Sequence, residues 1–442
     1  MYPDNGSVSW ALNERARQFL PGGNTRHSVF YSPYPNYALS GNGCYITDVD
    51  GSTRIDCVNN MSSLIHGHAN REVHAALQQQ MQRLLCAGAP TETEIDLAEL
   101  IASRVPGIDQ IRFANSGSEA IMFACRAARA YTGRSKIAKI EGSYHGSYDA
   151  VQFGLNPEPG VWGPAEAPAT VAATHGITQG VQQDTITLPL NDITATRAIL
   201  EHYAGQLAGV LIDPLISRMG FIPASYDYLE MIRQFTSETG SLLIFDEVFS
   251  FRIAYNGAQA AVGIYPDLTV LGKVIGGGMP IGAIGGRREF MEVFSHDNGM
   301  PSVEHSGTYF ANPMSMAAGK AALEQLTPAA HDRLNGLGKM LRHKLREALQ
   351  VTKVDGYVAG AGSLLAIILA KKAPMNYREM YACMSGGAKE KGMMLHRYLI
   401  NAGIQIIPPG GIVLSTAMNE DSINEITESV RAGLVFVDEN QV

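Results

Sequence analysis

The chain has 442 residues, 45% of them hydrophobic and 17% charged, with a formal net charge of -8. These values exclude a disordered or fibrous chain and argue against nucleic acid or an anionic membrane as partner. The five scattered cysteines, Cys44, Cys57, Cys86, Cys125 and Cys383, fit neither a disulfide framework nor paired metal-ligand spacing, so reduced thiols and no metal are expected.

The length suggests about three folding units, or two large lobes of an α/β enzyme. The opening residues lack a basic start followed by an apolar run, and no apolar stretch is long enough to span a bilayer, so a cytoplasmic protein is expected. Short apolar runs rich in branched residues predict strands at 111–113, 136–140, 208–213, 241–246 and 268–272. Between them, Ser116 to Tyr131 reads as a helix opened by a Ser-x-x-Glu capping box at Ser116 and Glu119 and closed near Gly133. Tyr226 to Glu238 reads as another, stopping at Gly240. Alternating strands and helices imply a largely parallel sheet. Residues 154–182, rich in Pro, Gly and Ala, show no sustained period and read as a long loop of the kind used as a lid or binding segment. After Pro313 a long helix, a strand at 363–370, further helix and a strand pair around Ile404 to Ser415 predict a smaller α+β lobe.

Three motifs fall at the C-terminal ends of predicted strands, where open parallel sheets place their ligand sites. Asn115-Ser116-Gly117-Ser118-Glu119-Ala120 is a loop entering a capped helix, which serves as a phosphate cradle or as an ordinary N-cap. Phe245-Asp246-Glu247-Val248 ends an apolar strand in two carboxylates. A buried acid there requires a partner, and a protonated pyridine nitrogen, a metal or a helix start would each serve. Leu271-Gly272-Lys273 places a lysine between an apolar strand and a glycine run. Desolvation would lower its pKa and free the amine to attack a carbonyl. No Walker-type phosphate motif occurs, and the glycines after Lys273 match a dinucleotide fingerprint poorly.

Together these motifs, with Pro21-Gly22-Gly23, Gly67-His68, Tyr144-His145-Gly146 and His305-Ser306-Gly307-Thr308, resemble the class III aminotransferases of fold type I over nearly the whole chain. Within that family the chain is similar to the branch of glutamate-1-semialdehyde aminomutase and the aminotransferases for β- and D-amino acids. The resemblance implies an α/β fold with a seven-stranded, mainly parallel sheet. It implies an N-terminal segment at 1–65 packing with a small domain, a large cofactor domain at 66–312 and the small domain at 313–442. It also implies pyridoxal 5'-phosphate as cofactor, with Lys273 as Schiff-base lysine and proton shuttle and Asp246 as partner of the pyridine nitrogen. Ser116, Gly117 and Ser118 would hold the phosphate, and Tyr144 and Val248 would face the two sides of the ring. Thr308 would reach the phosphate from the neighbouring subunit, giving a homodimer with shared sites. Glu247 and His145 look structural.

The implied reaction is transfer of an amino group from an amine or amino acid to a keto acid or aldehyde, with small molecules as the partners. An aminomutase is the alternative, but its family carries Ser-Trp-Gly-Pro where this chain has Asn60-Met61-Ser62-Ser63. A cofactor-binding scaffold without turnover is the alternative of another class. Arg26 occupies the place where relatives grip a substrate carboxylate, a task suited to its bidentate fork. Arg218, Arg252 and Arg397 are other candidates for that charge. Pro409 stands where some relatives carry a second arginine. Asp213-Pro214, followed by Ser217 and Arg218, departs from the usual Glu-Pro, so a pocket particular to this chain is expected.

Overall fold

The apolar runs between residues 110 and 286 assemble into one sheet in the computed structural model, which describes residues 1–297 and 299–440. Its strands are β1 (Gln110–Ala114), β2 (Lys136–Ile140), β3 (Thr185–Leu188), β4 (Leu207–Ile212), β5 (Leu242–Asp246), β6 (Leu268–Gly272) and β7 (Gly282–Gly286). The spatial order is β1-β7-β6-β5-β4-β2-β3. β2 to β6 pair in parallel, whereas β7 runs antiparallel to both β6 and β1. Every residue of β4, β5 and β6 is buried, because helices cover both faces of such a sheet. The capped helix Gly117–Thr132 closes at Gly133 in the left-handed conformation (φ 68°), as the sequence predicts. Strand β7, Gly-Ala-Ile-Gly-Gly, was not legible because its composition disfavours strands.

Two smaller sheets involve the chain ends. Ala38–Asn42, Tyr45–Asp48 and Thr53–Asp56 form a sheet with Ile404–Gln405, while Tyr357–Ala359, Leu364–Ile368 and Gly411–Val413 form another. The expected late strand pair is therefore divided between sheets, its halves joined by a single bridge, Ile407 to Gly411. Pro408 and Pro409 lie between them and offer no N–H donors to extend a ladder. The expected long helix after Pro313 is likewise two, Pro313–Gln325 and Pro328–Thr352, with Thr327 capping the second through a 3.2 Å bond from the Ala330 N–H.

The loop at 154–182 is irregular until the short helix Gln179–Gln183 begins at its end. It is pinned by the helix Tyr377–Cys383. Arg378 donates to both Glu141 oxygens (3.0 and 3.1 Å) and to the carbonyls of Trp162 (2.8 Å) and Gly163 (2.9 Å). Its guanidinium also stands 4.8 Å from the Trp162 ring centroid. The Tyr377 hydroxyl donates to the Pro157 carbonyl at 2.9 Å. Among the described residues, no helix is long and apolar enough to cross a membrane.

Candidate active site

The ends of β5 and β6 lie side by side and carry the two residues with the sharpest chemistry. Lys273 follows β6 with φ 50°, a left-handed conformation that turns the chain into the 3-10 segment Lys273–Gly276. Its Nζ stands 4.7 Å from the centroid of the Phe249 ring. Burial pushes the amine's pKa down, and the carboxylates of Asp246 and Asp213 pull against that shift. The outcome is an amine moved toward its nucleophilic, neutral form.

Asp246 closes β5 and is buried. Its Oδ1 accepts the Val248 N–H at 3.0 Å, and its Oδ2 faces His145 Nδ1 at 2.8 Å. The carboxylate calls for an Nδ1–H donor. His145 Nε2 lies 2.8 Å from the Ser143 hydroxyl, which also has the Ile140 carbonyl in reach at 2.7 Å. Burial lowers the His145 pKa, opposed by Asp246. From sequence, His145 looks more structural than catalytic. The geometry makes it a positioning residue for Asp246, and the Tyr-His-Gly motif was the available signal. Glu247 is structural: it is buried and accepts from Ala258 N–H, Gln259 N–H and Gln259 Nε2, which anchors the helix Gly257–Val262.

Asp213, at the end of β4, is also buried, and its Oδ1 accepts the Leu215 N–H at 3.0 Å. Burial first and the neighbouring Asp246 charge second push its pKa well above the carboxylate range. Of the two acids near the lysine, Asp213 favours its neutral form. Phe249, on which Lys273 rests, was not singled out from sequence, where no motif distinguished it.

The helix Gly117–Thr132 opens on a capped first turn. Ser116 Oγ accepts the Glu119 N–H at 3.3 Å. Glu119 returns to the Asn115 N–H (2.8 Å) and to the Ser116 hydroxyl (3.1 Å), so the expected box is shifted by one residue on its return leg. The backbone here is crowded. A Cβ on Gly117 would meet Val248 at 3.0 Å, one on Gly146 would meet Ser118 Oγ at 2.4 Å, and one on Gly282 would meet the Ser116 carbonyl oxygen at 2.0 Å. Val248 thus packs between the helix start and the end of β6.

Tyr144, immediately before His145, is 45% exposed. Thr308 is exposed and lines a small cleft with Cys86, Ala87 and Thr91. Arg26 is exposed and donates to Asn60 Oδ1 at 2.9 Å. Asn59, Asn60, Met61 and Ser62 all have positive φ, 47° to 78°, in a turn held by Asp56 and Arg252. Arg252 is fully buried and spent on Ser62, Ser363 and Leu414, which removes it as a substrate-binding arginine.

The class III aminotransferase family model matches residues 31–428. The chain belongs to the class III aminotransferase family. Its structure is similar to that of an omega-transaminase from Sphaerobacter thermophilus, with a TM-score of 0.94, 42% identity and 99% of each chain covered. It is similar also to a β-phenylalanine aminotransferase from Variovorax paradoxus, with a TM-score of 0.86 and 33% identity over 96% of this chain and 93% of the other. Over 429 residues the chain is 37% identical to glutamate-1-semialdehyde 2,1-aminomutase 2 of Halalkalibacterium halodurans, covering 96% of this chain and 97% of the relative. Membership makes this class III protein a fold type I enzyme dependent on pyridoxal 5'-phosphate. The residues fit that group: an amine moved toward its neutral form, a buried carboxylate fixed by a histidine, and a helix start whose tight backbone suits a phosphate.

Proposed function

We propose that this enzyme moves an amino group from an amine or amino acid, β- and D-amino acids included, to a keto acid or aldehyde. The observation that carries this reading is the pairing of Lys273 and Asp246 at the ends of adjacent parallel strands, with His145 fixing the acid. When bound, pyridoxal 5'-phosphate supplies an aldehyde that amines engage and a ring that accepts electrons. Lys273 Nζ is the group that takes and returns the substrate proton. Asp246, oriented by His145, holds a proton on the cofactor's ring nitrogen. Ser116, Gly117 and Ser118 bind the phosphate, Tyr144 and Val248 confine the ring, and Thr308 of a second copy completes the phosphate site in a homodimer. Stopped-flow spectra of the enzyme mixed singly with a panel of amines, amino acids and keto acids test the reading. A visible absorbance that no amine discharges would refute it.

The 37% identity to an aminomutase supports a second reading, movement of the amino group within one molecule. Against it stands the sequence Asn60-Met61-Ser62-Ser63, where the aminomutases carry Ser-Trp-Gly-Pro. Nitrogen-15 labelling separates the two, since only transfer between molecules delivers label to an added keto acid.

A further inference from the structure

Strand β4 leaves the sheet at Asp213 and continues into a short hairpin, Leu215–Ile216 paired with Ile222–Pro223. Its tip, Ser217–Met219, turns back at Gly220 in the left-handed conformation (φ 71°). A Cβ on Gly220 would meet Ile368 Cδ1 at 2.5 Å, so the hairpin is seated firmly against the three-stranded sheet. One residue further, the Phe221 ring lies 5.8 Å from the Phe249 ring, the same ring that supports Lys273. The tip of the hairpin therefore stands beside the lysine pocket.

Arg218 occupies that tip. Its Nε and Nη2 both point at one neutral acceptor, Asn156 Oδ1, at 3.4 and 3.1 Å, and no carboxylate pairs with it among the described residues. Desolvation lowers its pKa, opposed by the phenols of Tyr144 and Tyr377. A guanidinium has five donors, and most of these are unspent. Its planar fork matches a carboxylate. Arg26, exposed as Arg218 is, donates instead to Asn60 Oδ1 in the turn at Asn59–Ser62.

We infer that Arg218 is the side chain that recognises the substrate carboxylate, and that the enzyme takes acidic amines, in particular amino acids whose carboxylate lies a carbon or two from the amine. The inference rests on the aminotransferase reading above. It gives Asn156, on the loop at 154–182, the role of aiming Arg218.

The test uses the holoenzyme, its Arg218→Ala, Arg218→Lys and Arg26→Ala variants, and two probe amines that differ only in the carboxylate, 3-amino-3-phenylpropanoate and 1-phenylethylamine. The readout is the ratio of the concentrations that half-saturate the change in visible absorbance. Arg218→Ala should shift this ratio against the amino acid by roughly tenfold to a hundredfold, as loss of a charged bidentate pair implies. Arg218→Lys should recover part of it, lacking the fork. Calorimetry with 3-phenylpropanoate, which has no amine, should show the same weakening. An unchanged ratio together with unchanged 3-phenylpropanoate affinity in Arg218→Ala overturns the inference, as does a loss of that size confined to Arg26→Ala. If neither probe amine alters the spectrum, the aminotransferase reading fails, and calorimetry still decides whether Arg218 binds the carboxylate.

Discussion

His145 Nδ1 lies 2.8 Å from Asp246 Oδ2, and both side chains are buried. A carboxylate aimed by a histidine is oriented before any ligand arrives, which is how an electrostatic group acts without reorganising. Asp246→Asn should retain cofactor and slow substrate proton removal by on the order of 10²-fold or more. His145→Gln should slow it by about tenfold to a hundredfold, the worth of one charge-assisted hydrogen bond. Single-turnover rates with a deuterated substrate measure both, and equal rates in wild type and Asp246→Asn would contradict the assigned role.

Lys273 is expected to be the site of covalent attachment. Borohydride reduction of the yellow holoenzyme should fix the cofactor to one peptide, that containing Lys273. Mass mapping that places the adduct on Lys139, a fully buried lysine already spent on the Ile140 and Phe153 carbonyls, would displace the assignment.

Sharing of sites between subunits is open to complementation. Lys273→Ala and Thr308→Ala chains mixed and allowed to exchange should give hybrid dimers with one intact site and one doubly damaged site. Activity should then exceed that of either parent. A mixture no more active than its parents places Thr308 in its own subunit's site or none.

The bidentate Arg378–Glu141 pair couples the 154–182 loop to the helix Tyr377–Cys383. Arg378→Ala leaves Glu141 buried and uncompensated, and should cost about 3–5 kcal/mol by denaturant unfolding. Adding Glu141→Leu should recover part of this, a non-additivity that a double-mutant cycle reads directly.

Acid lability should have a traceable source in His331. Burial, then the charges of Arg104 and Arg252, lower its pKa from 6.5 to about 4. The folded-state value is depressed, so the unfolded chain takes up the proton first. Stability is full above about pH 6.5 and falls as the pH drops toward 4, by on the order of 1–3 kcal/mol. Melting temperatures of His331→Leu should decline less steeply than wild type over that window. Parallel curves would show that other groups carry the acid response.

How much of this was legible in the sequence depended on whether the signal was local. β2 and β6 were read to the residue because their apolar runs are continuous, and the Gly117 helix announced both its ends with Ser116 and Gly133. Lys273 and Asp246 were visible because each ends such a strand. By contrast, the Asp246–His145 bond joins residues 101 apart in sequence, and nothing in the chain between them marks it. The division of the late strands between two sheets depends on which partner wins each edge, a tertiary contest that no window of sequence contains.

Strand β7 has so far been a strand that its composition disguised. For anyone seeking a hardier catalyst it sets a boundary. Replacing sheet glycines with branched residues is a common route to stability, yet at Gly282 even one methyl group would be driven into the Ser116 carbonyl, 2.0 Å away. The displacement would pass to the first turn of the helix, whose amides suit a phosphate. The stretch that looks easiest to improve is therefore the one whose bareness the proposed phosphate site requires, and Gly282→Ala should trade cofactor retention for any gain in strand propensity.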